Sequence, residues 1–183
     1  MVSQATHQAI SLEDPHHQWE LFDGRLAEKP PMPVFHNRLM ARLTAQLVRQ
    51  LDENEFEARM NTGRLSSGGF SYVIPDVHVV PIGLIQSDST DASLLDVHSQ
   101  PMPFVAEVWS PSTGDYDVDR KLPEYRTRGD REIWRLHPSK RTLDAWRRRE
   151  EGGYDESSHT GGLVHLAGLP GVIIDLDRLF RLG

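Results

Sequence analysis

The sequence predicts an α/β fold with a central mixed β-sheet flanked by helices, and three observations carry that prediction. Phe35, Leu39, Leu43, Leu47 and Leu51 recur at helical spacing over roughly residues 35–53. Two runs suit strands: 71–80, rich in β-branched residues, and 102–109, so nearly all apolar that it reads as a central strand covered on both faces. A loop-to-helix segment from Ser110 to Gly129 then leads into further strand patterns. The order helix, strands, helix, strand is that of a layered α/β domain.

Taken in chain order, residues 1–14 read as a loose lead-in and 15–183 as a single domain. Residues 19–29 alternate around Asp23-Gly24, the dipeptide preferred in tight hairpin turns. Pro30 to Pro33 punctuate the chain before the long helix, which His36 heads. Residues 56–65 read as a strand, 66–69 as a turn and 83–101, polar and aperiodic, as a mobile surface loop beside the site. In the segment after the second strand run, Asp115 or Asp117 can cap a helix and Gly129 fits just past its end. Pro123 is tolerated there if the regular helix begins near Arg120 to Leu122, because an interior proline loses a hydrogen bond. Residues 131–136 and 142–148 form two more strands across a Pro-Ser-Lys turn. Gly152-Gly153 and Gly161-Gly162 mark later turns, and 172–180 reads as a strand leading into one helical turn.

Side-chain alternation selects the candidate site. A period of two puts Asp76 on a face with Ile74, His78 and Val80, and Glu107 on a face with Val105 and Trp109. A carboxylate inside each of two buried strands is costly unless a positive group compensates it: a bound cation, or a buried Lys or Arg. Lys121 and Tyr125, four apart, share one face of the helix that follows. If the two acids face one another uncompensated, Asp76→Asn should leave the fold intact or slightly more stable.

These residues resemble the restriction-endonuclease-like PD-(D/E)XK superfamily and, within it, the Uma-type endonucleases. The resemblance runs from Trp19 to Gly24, through His36, Pro75-Asp76, Glu107 to Thr113 and Asp117 to Lys121 and Tyr125, and on to Glu132-Ile-Trp134 and Leu169-Pro-Gly171. It implies a restriction-endonuclease-like core with additional hairpins. The activity it implies is hydrolysis of nucleic-acid phosphodiesters, with DNA favoured over RNA and neither excluded, and Mg²⁺ or Mn²⁺ as cofactor. Asp76 and Glu107 match the metal-binding acids, and Glu20, His36 and Tyr125 are further candidate members. The superfamily pattern departs at Trp109, where a lysine would stand two residues beyond the acid; an indole carries no charge. Either Lys121 takes the lysine's part or the site is inactive.

Bulk properties bound the alternatives. The net charge of −7 does not suit a protein that grips nucleic acid over its whole surface. Binding focused on Lys121, Arg126, Arg128 and Arg131, with Arg147 to Arg149 as a second run, remains compatible. With no cysteine there are no disulfides or thiolate metal sites, in keeping with a reducing cytoplasm. No apolar run reaches transmembrane length, so no membrane partner is expected. Leu163, Val164, Leu166 and Leu169 extend the apolar pattern beyond the recognised core and suggest a homodimer. Two rival readings remain: a degenerate nuclease fold used as an interaction module, and a purely structural ion-pair network of Asp76, Glu107 and Lys121.

Overall fold

In the computed structural model, residues 1–68, 70–85, 94–111 and 120–181 are described. The candidate caps Asp115 and Asp117, and the polar stretch 87–91 of the expected surface loop, fall outside them.

The first element corrects an expectation. Residues foreseen as a loose lead-in form helix α1 (Gln4–Glu13), capped by Ser3, whose hydroxyl accepts from the Thr6 N–H at 3.1 Å. Its buried His7 stacks on Tyr72 with ring centroids 5.1 Å apart and bonds the Trp19 carbonyl at 2.9 Å, which fastens the helix to the hairpin behind it. That hairpin, β1 (Trp19–Phe22) and β2 (Arg25–Glu28), turns at Asp23-Gly24 with both φ angles positive, 46° and 72°, the pairing a two-residue turn demands.

Helix α2 (Val34–Val48) is shorter than the apolar stripe suggested. The Asp52 carboxylate accepts from the Asn54 N–H at 2.9 Å and offers the backbone a turn in place of another helical one. The expected strand 56–65 is two strands, β3 (Phe56–Met60) and β4 (Arg64–Ser66), separated where Asn61 and Gly63 adopt positive φ. The run 71–80 divides likewise into β5 (Tyr72–Val73) and β6 (Val77–Pro81). Pro75 has no N–H to donate to a ladder, so the chain leaves one sheet there and enters another.

A 3-10 turn (Ile82–Leu84) and β7 (Val97–His98) precede β8 (Phe104–Val108). Helix α3 (Leu122–Arg128) begins after Lys121, carries Pro123 in its first turn and ends at Gly129 in the left-handed region. β9 (Glu132–His137) and β10 (Thr142–Arg148) follow as foreseen. β11 (Tyr154–His159) was not foreseen: its Asp-Glu-Ser-Ser core has no apolar alternation, and backbone pairing with β10 holds it. β12 (Leu163–His165), β13 (Ile173–Asp175) and α4 (Leu176–Leu179) close the chain.

Among the described residues the strands form three sheets, ordered β2-β1-β5-β4-β7, β11-β10-β9-β8-β6-β3 and β12-β13. The first two are mixed, with parallel pairs β4/β7 and β8/β9. One face of the six-stranded sheet, with Val77, Val79, Phe104, Ala106 and Val108, packs against Leu39, Leu43 and Leu47 of α2 and the C-terminal elements. The opposite face buries Val80, Val105, Ile133 and Tyr125 together with Phe22, Leu65 and Val73 of the other sheet. Val164, Leu166 and Leu169 are consumed in the first core, and Leu163 alone of that group is exposed, so this apolar pattern supplies no assembly face. No helix among the described residues is long and apolar enough to cross a membrane.

Candidate functional site

The seam between the two large sheets collects the chemistry. Asp76 leads into β6, Glu107 lies on β8, Glu20 on β1, Lys121 at the head of α3 and Tyr125 one turn further; all are buried. Lys121 Nζ lies 3.1 Å from Glu20 Oε1 and 3.3 Å from Glu107 Oε1, and donates to the Ile74 carbonyl at 3.2 Å. Lys121 thus stands beside Glu107 although fourteen positions further along the chain (121 − 107). Tyr125 donates its hydroxyl to Glu107 Oε1. Burial, followed by the Glu107 charge and that bond, holds the phenol well above its usual pKa, so it remains a donor.

Asp76 is compensated from the other side by a residue that sequence reasoning did not single out. Lys29, buried at the end of the hairpin, places Nζ 2.8 Å from Asp76 Oδ1 and donates to the Ile74 carbonyl at 2.9 Å. His36 Nε2 sits 2.8 Å from Asp76 Oδ2, which also accepts the Val108 N–H at 2.8 Å. Burial alone would raise this carboxyl; Lys29, then His36 and Lys121, hold it well below the usual carboxylate range. Glu20 completes the cluster by accepting the Ile74 N–H at 2.7 Å. Three carboxylates therefore face two ammonium groups in a buried seam. A charge count calls for a second cation, because one lysine cannot neutralise three buried acids, but does not say which residue supplies it.

Asp76 and Glu107 do not open onto the cavity that Trp109 lines: both carboxylates turn to the lysines inside the seam. The cavity, of about 490 Å³, lies beside the acids, lined by His36 and Trp109 among others. The proposed basic patch is also largely committed to the fold. Arg128 is buried, pairing with Asp130 and bonding the Ser66, His98 and Gln100 carbonyls, while Arg126 lies over the rings of Trp146 and Tyr154. Lys121 itself is 1% exposed and does not belong to a surface basic patch.

Among the described residues no three His, Asp or Glu side chains converge into a ready metal cage. The donors nevertheless suit a hard cation. Mg²⁺ is usually held by one or two carboxylates, with water and substrate phosphate completing the shell. Asp76 and Glu107 supply two such carboxylates, with Asp76 Oδ1 facing Lys29 at 2.8 Å.

Comparison with known proteins adds a family and a fold. The family described as Uma2, putative restriction endonuclease, matches residues 4–177. A putative nuclease belonging to DUF820 from Anabaena variabilis ATCC 29413 superposes with a TM-score of 0.69 at 16% identity, over 88% of this chain and 89% of that one. Among curated proteins nothing matches.

Proposed function

Since this chain belongs to the Uma2 family of putative restriction endonucleases, we propose that it hydrolyses phosphodiester bonds of nucleic acid with the help of a divalent cation. DNA is the substrate that the family description favours. The observation that carries the reading is the Lys121 ammonium, fixed 3.3 Å from Glu107 by two carboxylates and a carbonyl although no lysine stands at position 109.

Asp76 and Glu107 are the residues that would hold Mg²⁺ or Mn²⁺, hard oxygen donors for a hard cation. When bound, such a cation polarises a phosphoryl oxygen and lowers the pKa of an attacking water. Lys121 orients that water and offsets the negative charge that grows on the phosphate. Tyr125 fixes one Glu107 oxygen, and Glu20 holds both the Lys121 ammonium and the backbone of Ile74. Lys29 keeps Asp76 ionised until a cation arrives.

The test is cleavage of supercoiled plasmid in Mn²⁺, alongside calorimetric titration of the protein with Mn²⁺. Wild type should nick the plasmid and lose that activity in EDTA. Lys121→Met should lower the rate by about 10²-fold or more, the scale for losing one electrostatic stabiliser, while Glu107→Gln should lose the Mn²⁺ binding isotherm. Wild-type rates in Lys121→Met would refute the catalytic assignment. One observation favours the interaction-module reading: no cluster carboxylate is more than 4% exposed, and each already has a lysine partner. Absence of Mn²⁺ binding by wild type would decide for it.

A further inference from the structure

The cavity beside the acids is not used by the hydrolytic reading, and its walls are specific. It measures about 490 Å³ and is lined by Phe35, His36, Trp109, Pro138, Ser139 and Arg141 among others. That volume is in the range, roughly 300–1,000 Å³, of sites that take a small organic group. Trp109 rests one ring face on His137, with centroids 4.3 Å apart and planes 13° from parallel. The indole is half-buried and lines the cavity. Phe35 adds a second aromatic wall from the first turn of α2.

Two polar features fix what such a slot would accept. His36 is 2% exposed, and its Nδ1 has no hydrogen-bond partner among the described residues. A buried ring nitrogen of this kind is costly unless a ligand completes it. Arg141, exposed on the β9–β10 turn, brings a positive charge to the rim. A flat π-system with a hydrogen-bonding edge and a nearby phosphate meets all three demands; an aliphatic group would leave His36 and Arg141 unanswered.

We infer that this cavity receives one unstacked nucleobase of the nucleic-acid strand, sandwiched at Trp109 with its polar edge on His36 Nδ1 and a flanking phosphate at Arg141. This inference rests on the nuclease reading for the direction of the strand: His36 also touches Asp76 at 2.8 Å, so a base held here keeps its own backbone beside the acids. The role fits Trp109, since base stacking on an aromatic ring is tolerant of sequence and strongest where the base is already unpaired.

The experiment uses the full chain in EDTA, where no cleavage takes place. The probe is a single-stranded DNA oligonucleotide carrying one 2-aminopurine, with a twin carrying an abasic site at that position. Wild type should change the 2-aminopurine emission on saturation and bind the abasic twin about tenfold more weakly. Trp109→Ala and the cavity-filling Ser139→Trp, at an exposed turn position, should each abolish the emission change; Trp109→Phe should restore most of it and serves as the folding control. Equal binding of the two oligonucleotides, or an unchanged signal in Trp109→Ala, overturns the inference and leaves the cavity to another occupant, such as an apolar peptide side chain. Plasmid nicking in Mn²⁺ by a wild type that ignores the base would remove the pocket and keep the nuclease. Base-dependent binding without nicking would keep the pocket and remove the nuclease.

Discussion

At Asp76 one carboxylate answers to four groups: Lys29, His36, the Val108 N–H and, at longer range, Lys121. Removing its charge strands the 2%-exposed Lys29 side chain with no other acid in contact among the described residues. Breaking a buried pair in this way costs about 3–5 kcal/mol. Asp76→Asn should therefore destabilise the metal-free protein by that amount in urea unfolding, and a change below about 1 kcal/mol would mean that water already reaches Lys29. This reverses the expectation from sequence, which set two bare acids against each other. The sequence could bring Asp76, Glu107, Lys121 and Tyr125 together because strand alternation orients Glu107, helical spacing pairs Lys121 with Tyr125, and the family resemblance joins them; Asp76 itself stands between β5 and β6 rather than in a strand. It could not announce Lys29, whose partner stands forty-seven positions away (76 − 29) and whose burial follows from how the two sheets close.

Elements were legible where a local rule decided them. The β1–β2 hairpin followed from Asp23-Gly24, and the start and end of α3 from Pro123 and Gly129. The break between β5 and β6 was harder to see, because six of the ten residues in the run favour a strand and only Pro75 and Asp76 object. β11 gave no signal, since an edge strand with a polar sequence owes its state to its neighbour. The segment before β13 is held by a close approach of another kind. A Cβ on Gly168 would come within 1.9 Å of the Pro103 carbonyl oxygen ahead of β8, and the Gly168 N–H donates to Glu132 Oε2 at 3.0 Å. Neither backbone can retreat without losing its place. Gly168→Ala should cost about 1–3 kcal/mol, the range for overpacking, read as a lowered melting temperature with no change in Mn²⁺ affinity.

For the molecule as a whole, stability between pH 4 and 6 is set by groups buried against their charge preference. Burial pushes Asp130 up to about 6, although Arg128 and the Met102 N–H pull the other way. The folded chain thus takes up a proton between the unfolded value near 3.8 and about 6 that the unfolded chain does not. The contribution of this group to stability therefore falls as pH rises through that window, by at most about 3 kcal/mol. His78, lowered to about 3 by burial and by Arg59, acts oppositely: its neutral form stabilises least as pH falls below 6.5. The wild-type slope mixes both. Subtracting Asp130→Asn isolates the first: relative to that variant, wild type should gain stability between pH 7 and pH 4.5 in urea titrations, and a constant difference would show that Asp130 titrates normally. The Asp76 contribution does not intrude, because a depressed carboxyl loses its stabilising effect only as pH falls below the unfolded value near 3.8.

The seam also constrains the order in which the chain can fold. Glu20 and Lys29 belong to the hairpin, Asp76 to the crossing between sheets, Glu107 to β8 and Lys121 to the head of α3, and even the two hairpin charges pair outside it, Glu20 with Lys121 and Lys29 with Asp76. Neither large sheet can shed the water over its acids before the lysines from the other segments have come in, because an ionised carboxylate dehydrated alone is too costly. Each sheet is free to form early by local pairing. Their closure onto one another has to be late and concerted, with the hairpin and α3 docking in a single step.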